Sequence, residues 1–123
     1  MDAPSIMPPK PNSLAQAFTV AKPIMGVIHL RPLPGAPAYD GEDVRDIYAA
    51  GVKDALTLAR GGIDAIIVEN ASDQPFLRPD DIGPETVAAL TAATLEVRNA
   101  VDVPLGVTCV ANGALQAIAI AKA

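Results

Sequence analysis

Three short apolar runs recur along this chain at an interval of about forty residues, beginning at Pro23, Ile63 and Pro104. Each leads into a loop, and each loop into a stretch with helical spacing. Pro23–His29 and Ile63–Glu69 (IDAIIVE) are rich in β-branched residues and do not alternate in polarity, the pattern of strands covered on both faces. The third run, PLGVTCV, extends from Pro104 to Val110. After the first loop, Asp40, Glu42 and Asp43 place negative charge where a helix start favours it. Val44, Ile47, Tyr48, Gly51, Val52, Ala55 and Leu58 then fall on one helical face, and Gly61-Gly62 supplies the stop. The loop ASDQPFLRPDDIG leads to Pro84, suited to a first helical position. Val87, Leu90, Thr94, Val97 and Val101 form the stripe of that second helix. Gly113 to Ala123 starts a third. Repeated βα units require a parallel sheet with right-handed crossovers.

An open doubly wound sheet and an eight-fold βα barrel both use this pattern. No strand is followed by the G-x-G-x-x-G spacing of a dinucleotide site. Polar residues instead stand at the C-terminal end of every strand, where barrel active sites are built. The expected fold class is therefore α/β, an incomplete (β/α)8 TIM barrel holding about the first three βα units. Residues 23–123 are assigned to the N-terminal half of that barrel domain. Closing a barrel takes about 250 residues, so the chain is expected to be an incomplete copy of a longer protein, aggregated or molten when alone. Residues 1–22 are expected to be a disordered tail, because Met1 to Asn12 carries four prolines and little to bury. Ser13 and Gln16 have capping-box spacing, which allows one helical turn over Leu14 to Phe18.

Charge and cysteine usage narrow the partners. A net charge of −5 argues against nucleic acid and anionic membranes, which need clustered Lys and Arg. The single Cys109 excludes an internal disulfide and fits a reducing cytoplasm. No apolar run approaches the roughly 20 residues of a membrane span, and MDAPSIMPPKPN is not a secretory signal. A cytoplasmic protein with no integral membrane segment is expected.

Side chains two apart on a strand share a face, so His29 lies with Val27, Glu69 with Ile67, and Thr108 with Gly106. If these faces point inward, His29, Glu69 and Thr108 converge at the barrel mouth. His29 is then the natural general acid or base. Glu69 is its partner, a metal ligand or the base itself. The structural alternative is that His29 bonds a loop carbonyl while Glu69 caps a helix. Arg31 and Arg78 can hold a substrate phosphate or carboxylate, or form surface salt bridges. Asp73, Asp80 and Asp81 can bind a cation, or be solvated and helix-start charges. No metal ligand is assigned, and the cofactor is left open. Cys109 is expected to be a buried hydrophobe rather than a nucleophile. Phe76 is expected to order its loop by packing back onto the barrel.

The segments KPIMGVIHLRPLPGAPAYDG, GGIDAIIVENASDQPF and IGPETVAAL together resemble the BtpA family, also called the BtpA/SgcQ family, from about Lys22 onward. The resemblance implies a TIM barrel related to phosphate-binding barrels, about twice the length of this chain. It implies either a role in photosystem I biogenesis or an enzyme acting on a small phosphorylated sugar-like substrate; a truncated, non-functional fragment is the third possibility. The missing remainder of the barrel, or a homo-oligomer, is the implied protein partner. By position the resemblance marks His29, Pro32, Pro34, Gly35, Glu69, Asn70, Asp73, Phe76, Gly83 and Glu85. His29 and Glu69 are taken as catalytic, with Arg31, Asn70, Asp73, Thr108 and Asn112 as substrate-binding. The third strand departs from the family pattern G-V-N-V-L-R-N-D: Thr108, Ala111 and Gly113 stand for an amide, a guanidinium and a carboxylate, while Asn112 is kept.

Overall fold

The computed structural model of the protein describes residues 11–123. The tail expected over residues 1–22 falls partly outside them. Asn12, not Ser13, caps the first short helix, α1 (Ser13–Ala17): its side-chain oxygen accepts from the Ala15 N–H at 3.2 Å. The chain then alternates β1 (Met25–His29), α2 (Val44–Arg60), β2 (Ala65–Glu69), α3 (Pro84–Ala100), β3 (Leu105–Thr108) and α4 (Ala114–Lys122). A single 3-10 turn, Pro79–Asp81, interrupts the loop before α3. Each strand is shorter than its apolar run.

Local chemistry sets the helix ends. The Asp43 side chain accepts from the Arg45 N–H at 2.9 Å and caps α2. The Arg45 guanidinium beside it holds the Asp43 carboxyl down at about 2, below the usual carboxylate range. Pro84 occupies the first turn of α3, where its missing N–H would have had no partner.

The strands pair in parallel in the order β1-β2-β3. Met25 lies opposite Ala65 and His29 opposite Glu69; Ile66 lies opposite Leu105 and Glu69 opposite Thr108. The register step therefore matches the forty-residue repeat in sequence. Ile28, Ile66 and Val68 project from the sheet into one core with Ile47 and Ala55 of α2, Leu90 and Val97 of α3, and Ile120 of α4. Burying each large aliphatic side chain of this set contributes about 1.5–3 kcal/mol. On α3 the buried face is shifted from the expected stripe: Thr86, Ala89 and Ala93 are buried with Leu90 and Val97, while Val87 and Thr94 lie at its flanks. Small side chains there let α2 and α3 approach.

The apolar runs predicted strands covered on both faces, and among the described residues only one face is covered. β1 alternates exposed and buried, with Val27 45% exposed. The uncovered face carries Val27 and His29, Ile67 and Glu69, Gly106 and Thr108. No helix among the described residues is long and apolar enough to cross a membrane.

Candidate functional site

Parallel register carries three polar residues to one end of the uncovered face. His29 stands opposite Glu69, and Glu69 opposite Thr108. The His29 Nε2 lies 3.2 Å from Glu69 Oε2. The Thr108 hydroxyl donates to the other carboxylate oxygen, Oε1, at 2.8 Å. Glu69 thus faces a neighbour with each oxygen, Thr108 through a hydrogen bond and His29 across a close contact. The His29 side chain is 62% exposed and that of Glu69 23%, so the imidazole is open to solvent while its partner is mostly sheltered. A carboxylate only accepts hydrogen bonds.

Asn70 and Asp73 follow directly after β2 and are almost wholly buried, 1% and 4% exposed. Asp73 Oδ1 accepts from the Leu33 N–H at 2.7 Å. Its Oδ2 accepts from Asn70 Nδ2 at 2.9 Å. Asn70 also donates to the Val110 carbonyl at 3.1 Å and accepts from the Val110 N–H at 2.7 Å. Burial pushes the Asp73 carboxyl up, against the opposing pull of the Leu33 N–H and the Asn70 amide. Only a small recess of about 10 Å³, about the room of one water, lies against Asn70, Asp73, Thr86 and Val110, and neither His29 nor Glu69 lines it.

The other candidates are dispersed. Arg31 pairs with Glu42 at 2.6 Å and donates to the Asp46 carbonyl at 2.8 Å, so its guanidinium is fastened to the start of α2. Arg78 is exposed and pairs with Asp81 at 2.8 Å within the 3-10 turn. Among the described residues no group of three or more His, Cys, Asp and Glu side chains could hold a metal ion. Asn112 is exposed, at φ 59, in the turn that enters α4. Cys109 is buried, as expected, and burial together with the nearby Asp73 charge pushes its thiol up. The following Gly113 is crowded: a Cβ there would lie 2.7 Å from the Cys109 carbonyl oxygen.

Phe76 does not order its loop. It is 43% exposed. Polar contacts hold the loop instead: Asp73 reaches Leu33, and Gln116 Nε2 donates to the Pro79 carbonyl at 2.8 Å, while Ile82 packs against the core. Thr86 escaped the sequence reading. It is buried, and its hydroxyl donates to the Pro34 carbonyl at 2.7 Å, pinning the first loop to the start of α3. Gly35 next to it adopts φ +89, with Glu85 and Thr86 filling the space a side chain would need. The pairing of PLPG in one loop with GPET in the next was the available signal.

The model of the BtpA family matches residues 20–123. Among curated proteins, an uncharacterized protein of Archaeoglobus fulgidus is 45% identical over 102 residues, 83% of this chain and 40% of that protein. The photosystem I biogenesis protein BtpA of Synechocystis is 37% identical over 109 residues, 89% of this chain and 37% of its own length. SgcQ, a protein of the Escherichia coli sgc region, is 28% identical over 95 residues, 76% of this chain and 35% of its own. The chain thus spans about two fifths of the length of these relatives. No solved structure matches it significantly.

Proposed function

We propose, from the premise that this chain belongs to the BtpA family, that its three βα units are the first part of a (β/α)8 TIM barrel whose His29–Glu69 pair performs acid–base chemistry on a small phosphorylated, sugar-like substrate. The observation that carries this is the contact of His29 with Glu69 at the C-terminal ends of adjacent parallel strands. Barrel enzymes build their active sites at those ends. The uncovered face bearing Val27, Ile67 and Gly106 is then the barrel interior, filled by strands beyond the three described.

In this assignment His29 takes a proton from substrate, and the adjacent Glu69 carboxylate stabilises the imidazolium that forms. Thr108 keeps Glu69 in place. Asn112 borders the same end of the sheet, in the loop after β3, and contacts substrate there; Arg31, in the loop after β1, does so only by leaving Glu42 and the Asp46 carbonyl. The phosphate expectation rests on the family resemblance, since barrels commonly grip phosphate with loops after strands 7 and 8. Free Cys109 and the acidic charge fit a cytoplasmic setting.

A second reading, a non-enzymatic part in photosystem I biogenesis, is favoured by the name of the Synechocystis relative. Proton exchange into a panel of sugar phosphates in deuterated water, followed by NMR, separates the two. A full-length family protein carrying this site is expected to exchange at least one of them, and the counterpart of His29→Ala to slow that exchange by about 10²–10⁴-fold. No exchange across the panel, with His29→Ala still lowering photosystem I accumulation in a cyanobacterial host, would move the assignment to the second reading.

A further inference from the structure

We infer that Asn70 and Asp73 are positioning residues that lace the three strand-end loops together and so hold His29 against Glu69. For its bearing on catalysis this rests on the function proposed above, but its test needs no substrate.

The backbone ladder runs out at the strand ends. Among the described residues, the Leu30 N–H donating to the Glu69 carbonyl at 3.0 Å is the last backbone bond between the first two units. Between the second and third units the register ends at Glu69 opposite Thr108. Past those points the main chains diverge into loops whose N–H and C=O groups still need partners. Side chains supply them. Asp73 accepts from the Leu33 N–H, four residues beyond His29. Asn70, directly after Glu69, pairs with both the N–H and the C=O of Val110, two residues beyond Thr108. The bond from Asn70 to Asp73 joins these two ties. One buried pair therefore touches the chain just after all three strands. Both ties span forty residues, the length of the repeat.

The residue types suit this task. Two N–H groups converge on Asp73, and an ionised carboxylate offers two acceptors and no donor. The Val110 peptide presents one donor and one acceptor, and a carboxamide matches both. Every polar atom of Asn70 and Asp73 is occupied by protein. That leaves neither side chain a free group for a substrate. The sheltered network instead fixes the spacing of loops that carry an exposed imidazole, and connected buried polar groups are stiff because each depends on the others.

The test uses the purified full chain. Asp73→Asn sets a donor against a donor at Asn70 or at Leu33, with little change in shape. Amide hydrogen exchange, read by mass spectrometry, is expected to rise at least tenfold in the peptides bearing Leu33 and Val110, and to stay unchanged across β2. His29 is the chain's single histidine, so carbethoxylation by diethyl pyrocarbonate reports on it alone. Its modification rate in Asp73→Asn is expected to move toward that of Glu69→Gln, in which the partner carboxylate is removed. Asp73→Glu, which keeps two acceptors, is expected to recover part of both effects. Faster exchange confined to the Leu33 peptide, with Val110 and His29 unchanged, would overturn the inference and leave Asp73 a local fastening. If Asp73→Asn does not fold, Asn70→Asp gives the same decision: it sets a carboxylate against the Val110 carbonyl, and a response confined to Val110 is the refuting result. Absent turnover alongside coupled amide and His29 responses would defeat the proposed function and leave this inference standing.

Discussion

Replacing Gly35 by alanine isolates what holds the first loop over the strand ends. The residue adopts φ +89, and an added Cβ would lie 2.6 Å from Glu85 Oε1 and 2.7 Å from Thr86 Oγ1. The two neighbours respond differently. Glu85 is exposed and can swing its carboxylate aside. Thr86 is buried, and its hydroxyl cannot move without releasing the Pro34 carbonyl. A non-glycine residue in the left-handed region costs about 1–2 kcal/mol. Breaking a buried hydrogen bond and leaving its groups unpaired costs about 1–3 kcal/mol. Gly35→Ala should therefore destabilise the fold by about 2–5 kcal/mol, read as a lower urea midpoint at unchanged slope. In a Thr86→Ala background the clash partner and the hydrogen bond are already gone, so the cost should fall to the backbone part, about 1–2 kcal/mol. A change within about 0.5 kcal/mol, or equal costs in both backgrounds, would refute the account of the loop given above.

Two further outcomes follow from the same region. Burial raises the Asp73 carboxyl above its ordinary value, so the native state binds the proton more tightly than the unfolded chain. The charge penalty is absent below the ordinary carboxylate value and grows as pH rises through the raised native value. Removing the carboxylate with Asp73→Asn should erase that contribution, seen as a flatter urea midpoint between pH 3 and 7; an unchanged pH dependence would contradict it. Phe76→Ala should cost less than about 1 kcal/mol, because the residue is 43% exposed; a loss above about 1.5 kcal/mol would mean the ring is buried in solution.

Period and punctuation made the three βα units and their parallel pairing legible. The apolar runs, Gly61-Gly62 and Pro84 located every strand and helix of the three units, since each reports a local cost that tertiary packing does not reverse here. The meeting of His29, Glu69 and Thr108 was also readable, because a parallel register near forty residues and the two-residue alternation of strands fix which side chains share a face. The roles of Asn70, Asp73 and Thr86 were not. A short polar side chain after a strand looks the same in sequence whether it awaits a ligand or bonds a backbone group forty residues away. Phe76 misled for a related reason: in a loop, hydrophobicity sets what burial would be worth, while the main-chain path decides whether it occurs.

The crowding at Gly113 bears on how the third loop could have diverged. The Gly113 N–H bonds the Cys109 carbonyl at 2.8 Å, and that same oxygen stands where a side chain would begin. A carboxylate side chain, which the resemblance leads one to expect at this position, cannot be installed along the present backbone path. Exchanging the residue means rerouting the turn, including the left-handed Asn112 beside it. A side chain at position 113 therefore comes only with a different path for the whole turn between Thr108 and Ala114.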